Sequence, residues 1–396
     1  DTHGGAIPSH EELVARAKAM MPRLKERARQ CTKDRNVPAE TIAEMKEAGF
    51  FRIVQPKRYG GYEMNPNVFF DVQKILAEGC MSTGWMYGVL GCHPYELALF
   101  DDKAQAEVWG DDNDMLVSST YQPVGKVEKA EGGFYLSGHW GFSTGSVHCG
   151  WVLLGALVWP EEGGPPDMRT FLLPRSDYTI DEDAWHTFGL QGTGSHDIIV
   201  DRAFVPEYRT HRAVEGFLCQ NPGQAVNDGP LYSLPWAQVF TRSVSTAAFG
   251  GARAAIGAAM KIMESRISTN TGKAAKDDPM LHAAISATYA QVLEMELTLK
   301  ATFDDLMALA EAGAPIPMEK RALYTYQSST VVRRLAALVD GMVELLGGRA
   351  IYMSSEIIQP WLDLKAGRAH VANDPSNRTK DVVGTMLGQE PAFNFL

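Results

Sequence analysis

Apolar positions recur at helical spacing over the first fifty residues. "SHEELVARAKAMMPRLKERAR" starts with Ser9 as N-cap and Glu12 three positions later, the pattern of a capping box. "VPAETIAEMKEAGF" repeats the logic, with Pro38 at an early position and Gly49 as a stop. Short helices continue over 66–110, among them "NVFFDVQKILAEG" and "DKAQAEVWG". The pattern changes at Met115. Short β-type runs broken by Gly, Pro and Asp extend to about Val205, and "AEGGFYLSG" reads as a hairpin turning at Gly132-Gly133. These strands do not alternate with long helices, so an antiparallel β-domain is expected and a parallel dinucleotide-binding sheet is not. "WPEEGGPPD" (159–167) reads as a solvated hairpin tip. Beyond a loop near 221–235, long helical patterns return over 236–268, 279–313, 317–346 and 354–370, with "AGAPIP" as one connector, and four such helices suggest a bundle. The fold class is therefore α+β: a helical domain (1–114), a central antiparallel β-domain (115–212) and a C-terminal four-helix bundle (213–396).

The 396 residues are 45% hydrophobic and 21% charged, ordinary for a globular chain. A net charge of −11 argues against nucleic acid or an anionic membrane as partner. The five cysteines, Cys31, Cys80, Cys92, Cys149 and Cys219, are odd in number and form no CxxC, as expected of reduced thiols in a cytoplasm. "DTHGGAIPSHEEL" lacks a signal pattern and no apolar run reaches about 18 residues, so a soluble, cytoplasmic protein is expected.

No GxGxxG follows a strand, and GxxxxGK[ST], HExxH, EF-hand and GxSxG patterns are absent. The histidines do not cluster at metal spacings. His148-Cys149 are adjacent, but neighbours on a strand point to opposite faces, and no metal is expected. What remains are hydroxyl-rich strand ends, "VSSTYQP" (117–123) and "WGFSTGSVH" (140–148). Such runs are either solvent-facing or in turns, or they donate to a planar polar heterocycle. His93 in "LGCHPYE" reads by itself as a helix-start residue. His370 in "DLKAGRAHVAND" is either a packed helix-end residue or faces a reacting group.

Layout and motifs together resemble the acyl-CoA dehydrogenase fold over nearly the whole chain. The hydroxyl-bearing strand "VSSTYQPVGKVEKAEGGFYLSGHWGFSTG" matches in order and spacing. The family's "W-[IV]-[TS]" stretch beside the flavin corresponds to Trp140-Gly141-Phe142-Ser143-Thr144. "GLQGTGSHDIIVDRAFVP" resembles the closing strand pair. "ELLGGRAIYMSSEIIQPWLDLKAG" resembles the double-glycine turn and following helix, where Gly347 and Gly348 let backbone approach the cofactor. In the dehydrogenases a glutamate base follows near the position of "DLKAGRAHVAND"; here there is no carboxylate at that step, and Asp374, before Pro375, would need repositioning.

This departure resembles the oxygenase components of two-component flavin monooxygenases, which share the fold and include hydroxylases of 4-hydroxyphenylacetate and of a phenolic secosteroid. "FRIVQPKRYGG", "STGW", "HPYELALF", "FSTG", "PRSDY" and "AHVANDP" carry the closer resemblance. It implies hydroxylation of an aromatic, phenolic or indolic substrate through a flavin hydroperoxide. Reduced FMN or FAD would diffuse in from a separate flavin reductase to meet molecular oxygen. The chain itself would have no nicotinamide site and no tightly held oxidised flavin. By the same resemblance Thr144 holds the flavin N5–H, with Ser119, Thr120, Trp140 and Ser143 around it. Arg266 reaches a flavin phosphate, His93 and His370 assist phenol deprotonation, and the chain forms a homotetramer. An acyl-CoA dehydrogenase, an N- or S-oxygenating relative and a non-catalytic flavin-binding protein remain the alternatives.

Overall fold

A computed structural model describes residues 6–267, 272, 274–391 and 395–396. Residues 1–5 and residue 268, the last of the first expected bundle helix, lie outside them. Helix α1 (His10–Asp34) opens on the capping box of Ser9 and Glu12, and α2 (Ala39–Glu47) begins after Pro38. Then follow α3 (Pro66–Gly79), α4 (Met81–Leu97) and α5 (Asp102–Trp109). The strands are β1 (Val117–Ala130), β2 (Gly133–Ser143), β3 (Trp151–Val158), β4 (Asp167–Pro174), β5 (Thr179–Asp181), β6 (His196–Pro206) and β7 (Thr210–Arg212). The C-terminal helices are α6 (Ala213–Leu218), α7 (Trp236–Ser265), α8 (Pro279–Glu311), α9 (Met318–Leu346), α10 (Ile358–Gly367) and α11 (Thr379–Met386).

The seven strands lie in the order β5-β6-β2-β1-β3-β4-β7. The sheet is mixed, not antiparallel throughout: β1 and β3 pair in parallel, from Val117 opposite Trp151 to Thr120 opposite Leu154. The reason is local. After the β1–β2 hairpin the chain turns at residues 144–150, crosses beneath the start of β1, and leaves along its other side in the same direction. Gly150 N–H bonds Leu116 O at the crossing. The first half of β1 pairs with β3 and the second half with β2, with a register break between Thr120 and Gly125.

The N- and C-terminal helices share one hydrophobic core. At its centre stand α4, buried at every residue, and α7, buried from Trp236 to Ala252 and packed on α3, α4, α9 and α10. Three bundle helices have the expected length. The fourth, expected over 354–370, is shorter: α9 ends at Leu346 and is capped by Gly347 with φ +64°, residues 350–357 lie in turns, and only Ile358–Gly367 is helical. No helix among the described residues is long and apolar enough to cross a membrane.

Asp363 on α10 is buried and ties that helix to the loop before β6, accepting from Leu190 N–H (2.6 Å) and from Gln359 (2.7 Å). Burial raises its pKa to about 7. A carboxyl raised in the folded state contributes stability that is present below its unfolded pKa and lost as pH rises through about 7. Asp363→Ala, which strands a buried N–H, should lower Tm by roughly 2–8 °C. Asp363→Asn keeps the acceptor and cannot ionise, so its Tm should rise relative to the parent between pH 5 and pH 8. Thermal melts across that range check both.

Candidate functional site

The spine of the site is α4, whose residues Met86, Leu90 and His93 succeed one another along one side. The turn after β2 rests on it: a side chain on Gly145 would meet Leu90 at 2.9 Å and Met86 at 3.0 Å, and φ there is +68°. Only glycine combines that backbone with that approach. Thr144 and Ser143 are thereby held, buried, against α4. The Thr144 hydroxyl pairs with Ser195 (2.8 Å), which pairs with Thr193 (2.7 Å). The hydroxyls of Ser143 and of Ser118 on β1 are buried with no partner among the described residues. Ser119 and Thr120 are buried nearby in the same strand.

His93 is wholly buried near the C-terminal end of α4, not at a helix start. Its Nδ1 faces Val117 O at 2.5 Å. A carbonyl can only accept, so Nδ1 carries the hydrogen, and Nε2, buried without a partner among the described residues, is the lone pair. Burial lowers its pKa to about 4. His370 has the opposite arrangement. It caps the single turn Val371–Asn373, and Ala372 N–H donates to its Nδ1 (3.1 Å), so in the neutral ring Nε2 carries the hydrogen. Burial lowers its pKa to about 4 as well.

Aromatic rings connect the two histidines. Tyr121 on β1 packs edge-on to His93 (6.3 Å) and to Phe240 on α7 (5.2 Å). Phe240 reaches His370 (6.0 Å), which also touches Trp85 (5.8 Å). Trp236 closes on Tyr121 and Phe240. The Tyr121 hydroxyl donates to Glu96, a buried carboxyl whose pKa is pushed up to about 8 by burial. Asp374 bonds Arg333 (3.0 Å) and caps Ser376, turned to structural work.

Other expected positions fall elsewhere. Trp140 is in the core of the β-domain, its indole N–H donating to the carbonyls of Gln122 (3.2 Å) and Gly155 (2.9 Å), so it presents no edge to a cofactor. The exposed aromatic of that stretch is Phe142, with φ +68° and its ring against Trp185 (5.8 Å). A positive φ at a non-glycine residue is a strained conformation, and here it stands beside the buried hydroxyls. The signal was present in the sequence: Phe142-Ser143-Thr144 has the one-residue spacing of the family's W-[IV]-[TS], and Trp140 does not. His148 closes a single turn of helix, Ser146–His148, so His148 and Cys149 are not neighbours on a strand. Arg266 and Gly347 do come together, in a second cluster at the ends of α7 and α9. There the Arg266 guanidinium bonds the carbonyls of Leu345 and Leu346, a cap favourable at a helix C-terminus. Gly348 adjoins them. Glu96, Tyr121, Trp236 and Phe240 were not singled out from sequence.

Two family models match the chain: acyl-CoA dehydrogenase N-terminal domain over residues 8–110 and acyl-CoA dehydrogenase C-terminal domain over residues 243–375. The oxygenase subunit HsaA of a flavin-dependent monooxygenase from Rhodococcus jostii is 35% identical over 366 residues, 91% of this chain and 94% of its own. The oxygenase component of an FADH2-dependent resorcinol hydroxylase from Rhizobium sp. is 30% identical over 393 residues, 96% of this chain and 94% of its own. The crystal structure of 3-HSA hydroxylase from Rhodococcus sp. RHA1 superposes with a TM-score of 0.92 at 32% identity, covering 98% of this chain and all of that one. The chain therefore belongs to the acyl-CoA dehydrogenase-like family of flavin-dependent monooxygenase oxygenase components.

Proposed function

We propose that the cage between His93 and His370 holds a phenolic or indolic ring against a reduced flavin, FMN or FAD, whose ring edge lies at Thr144. The two complementary histidines across an aromatic cage carry this reading. When bound, reduced flavin supplies the electrons that activate molecular oxygen for insertion into the aromatic ring. The residues fit such a guest: Ser143, Ser118 and His93 Nε2 are buried polar atoms without partners, a costly state unless a ligand completes them. Thr144, ordered by Ser195, holds a ring N–H, and Phe142 covers the ring edge. His93 takes the proton of the substrate hydroxyl at Nε2. His370 donates its Nε2–H to the oxygen so charged, and the rings of Tyr121, Phe240 and Trp236 exclude water.

A separate reductase delivers the flavin, in keeping with the oxygenase-component names of the relatives and with the absence of a nucleotide fingerprint in the sequence. Assembly as a homotetramer is supported by α8, which exposes Tyr289, Leu293 and Leu297 at four-residue spacing, an apolar stripe suited to a second copy. The Arg266–Gly347–Gly348 cluster would then receive a flavin phosphate across the interface, since a capping guanidinium retains free N–H groups.

With chemically reduced flavin, oxygen and a panel of phenols and indoles, the purified protein should form hydroxylated product and should not oxidise NADH directly. NADH oxidation without a reductase overturns the two-component reading. Thr144→Val should divert about ten- to hundredfold more flavin oxidation to hydrogen peroxide while the substrate still binds, the scale of one hydrogen bond in a dry site. His93→Ala should slow hydroxylation by roughly 10²–10⁴, and His370→Ala, which loses a donor and not a base, by only about 10–10². Because both imidazoles are lowered to about 4, product formation should persist as pH falls through 6.5 and decline only near 4. Product and peroxide assays against pH read all three. Sedimentation should give a tetramer; a monomer that binds reduced flavin tightly defeats the interface.

A further inference from the structure

Glu96 stands one helical turn beyond His93 on the same buried helix, 1% exposed, and no ion pair reaches it among the described residues. A buried carboxylate without a cation is costly, so such a group is held protonated or is retained for a purpose other than stability. Its partner is the Tyr121 hydroxyl. Tyr121 is the ring shared by both halves of the cage, edge-on to His93, Trp236 and Phe240. Its ring is thus placed at one end by β1 and at the other by Glu96. Within the same cage, His93 Nε2 is a lone pair to which none of the described residues donates. A tyrosine hydroxyl released within the same cage has an open acceptor there.

We propose that Glu96 is a positioning residue: it captures the Tyr121 hydroxyl, so that Tyr121 offers substrate only its ring and His93 Nε2 stays free. This rests on the reading of the cage as the hydroxylation site. The titratable neighbours of the pair are Cys92 and His93 on α4 itself, and α7 faces them with Trp236, Phe240 and Ser243, none of which supplies a charge. Glu96 is therefore neutral at pH 7 and ionises near pH 8. Above that, a negative charge lies one turn from His93 and opposes a substrate phenolate.

The test uses the full-length protein with reduced flavin, oxygen and a substrate found in the panel. Glu96→Ala should lower kcat about ten- to hundredfold, because the freed Tyr121 hydroxyl occupies His93. Adding Tyr121→Phe to Glu96→Ala should restore kcat to within about threefold of Tyr121→Phe alone, a rescue that loss of packing does not give. Glu96→Gln, which still accepts from Tyr121, should recover most of kcat and lose the parent's decline above pH 8. Nitrogen spectra of 15N-histidine protein, with His93 assigned by substitution, should show Nε2 gaining a donor in Glu96→Ala. That readout needs no turnover, so a parent that hydroxylates no aromatic overturns the proposed function without deciding the role of Glu96. Parent kcat in Glu96→Ala, a double variant no better than Glu96→Ala, or an unshifted His93 Nε2 overturns the role itself.

Discussion

Every residue of α4, from Met81 to Leu97, is buried. A helix placed so deep must satisfy its polar side chains inside the protein. Several on α4 are answered from its neighbours. Tyr87 donates to Phe50 O, His93 donates to Val117 O, and Glu96 accepts from Tyr121. Two of these three bonds fasten the helix to the first strand of the β-domain, the third to the helical core. The same burial lowers the pKa of His93 to about 4 and raises that of Glu96 to about 8, because each charged form would lose its water. Chemistry and packing share one cause.

The parallel pairing of β1 with β3 has a comparable effect on the hydroxyls. Crossing beneath the start of β1 carries the end of β2 back to the helical core. Ser143 and Thr144 therefore meet α4 and not solvent, and Thr193 and Ser195 from the loop before β6 close on them. Phe142 bears the conformational cost of that tight exit, at φ +68°, on the solvent side of the buried hydroxyls. The strained turn and the unpartnered hydroxyl of Ser143 lie within the same three residues.

Much of the scaffold was legible along the chain. Helical spacing, the Ser9 capping box and the change of pattern at Met115 placed α1, the β-domain and α7 to α9 close to their observed bounds. The fourth bundle helix, expected over 354–370, was overread at both ends, because apolar spacing cannot see the turns at 354–357 or the turn after Gly367. The family resemblance puts Trp140 beside the cofactor, yet its indole N–H has two carbonyl partners inside the sheet, Gln122 on β1 and Gly155 on β3. Glu96 escaped notice for the opposite reason. On an ordinary helix a glutamate is a solvated residue, and nothing local reveals that this helix has no solvent side.

The sequence by itself determined the class of fold and the types of group available: a hydroxyl-rich strand end, two histidines among small and aromatic residues, and no nucleotide or metal motif. Periodicity and motif order are local properties, so they survive without coordinates. Which nitrogen of each histidine is free, which aromatic faces outward at residues 140–142, and which carboxyl is buried beside the cage were decided only by tertiary structure. Each of these depends on a partner far along the chain, Val117 for His93 and Tyr121 for Glu96, or on a backbone turn such as the one that His370 caps, and neither is encoded in the spacing around the residue itself.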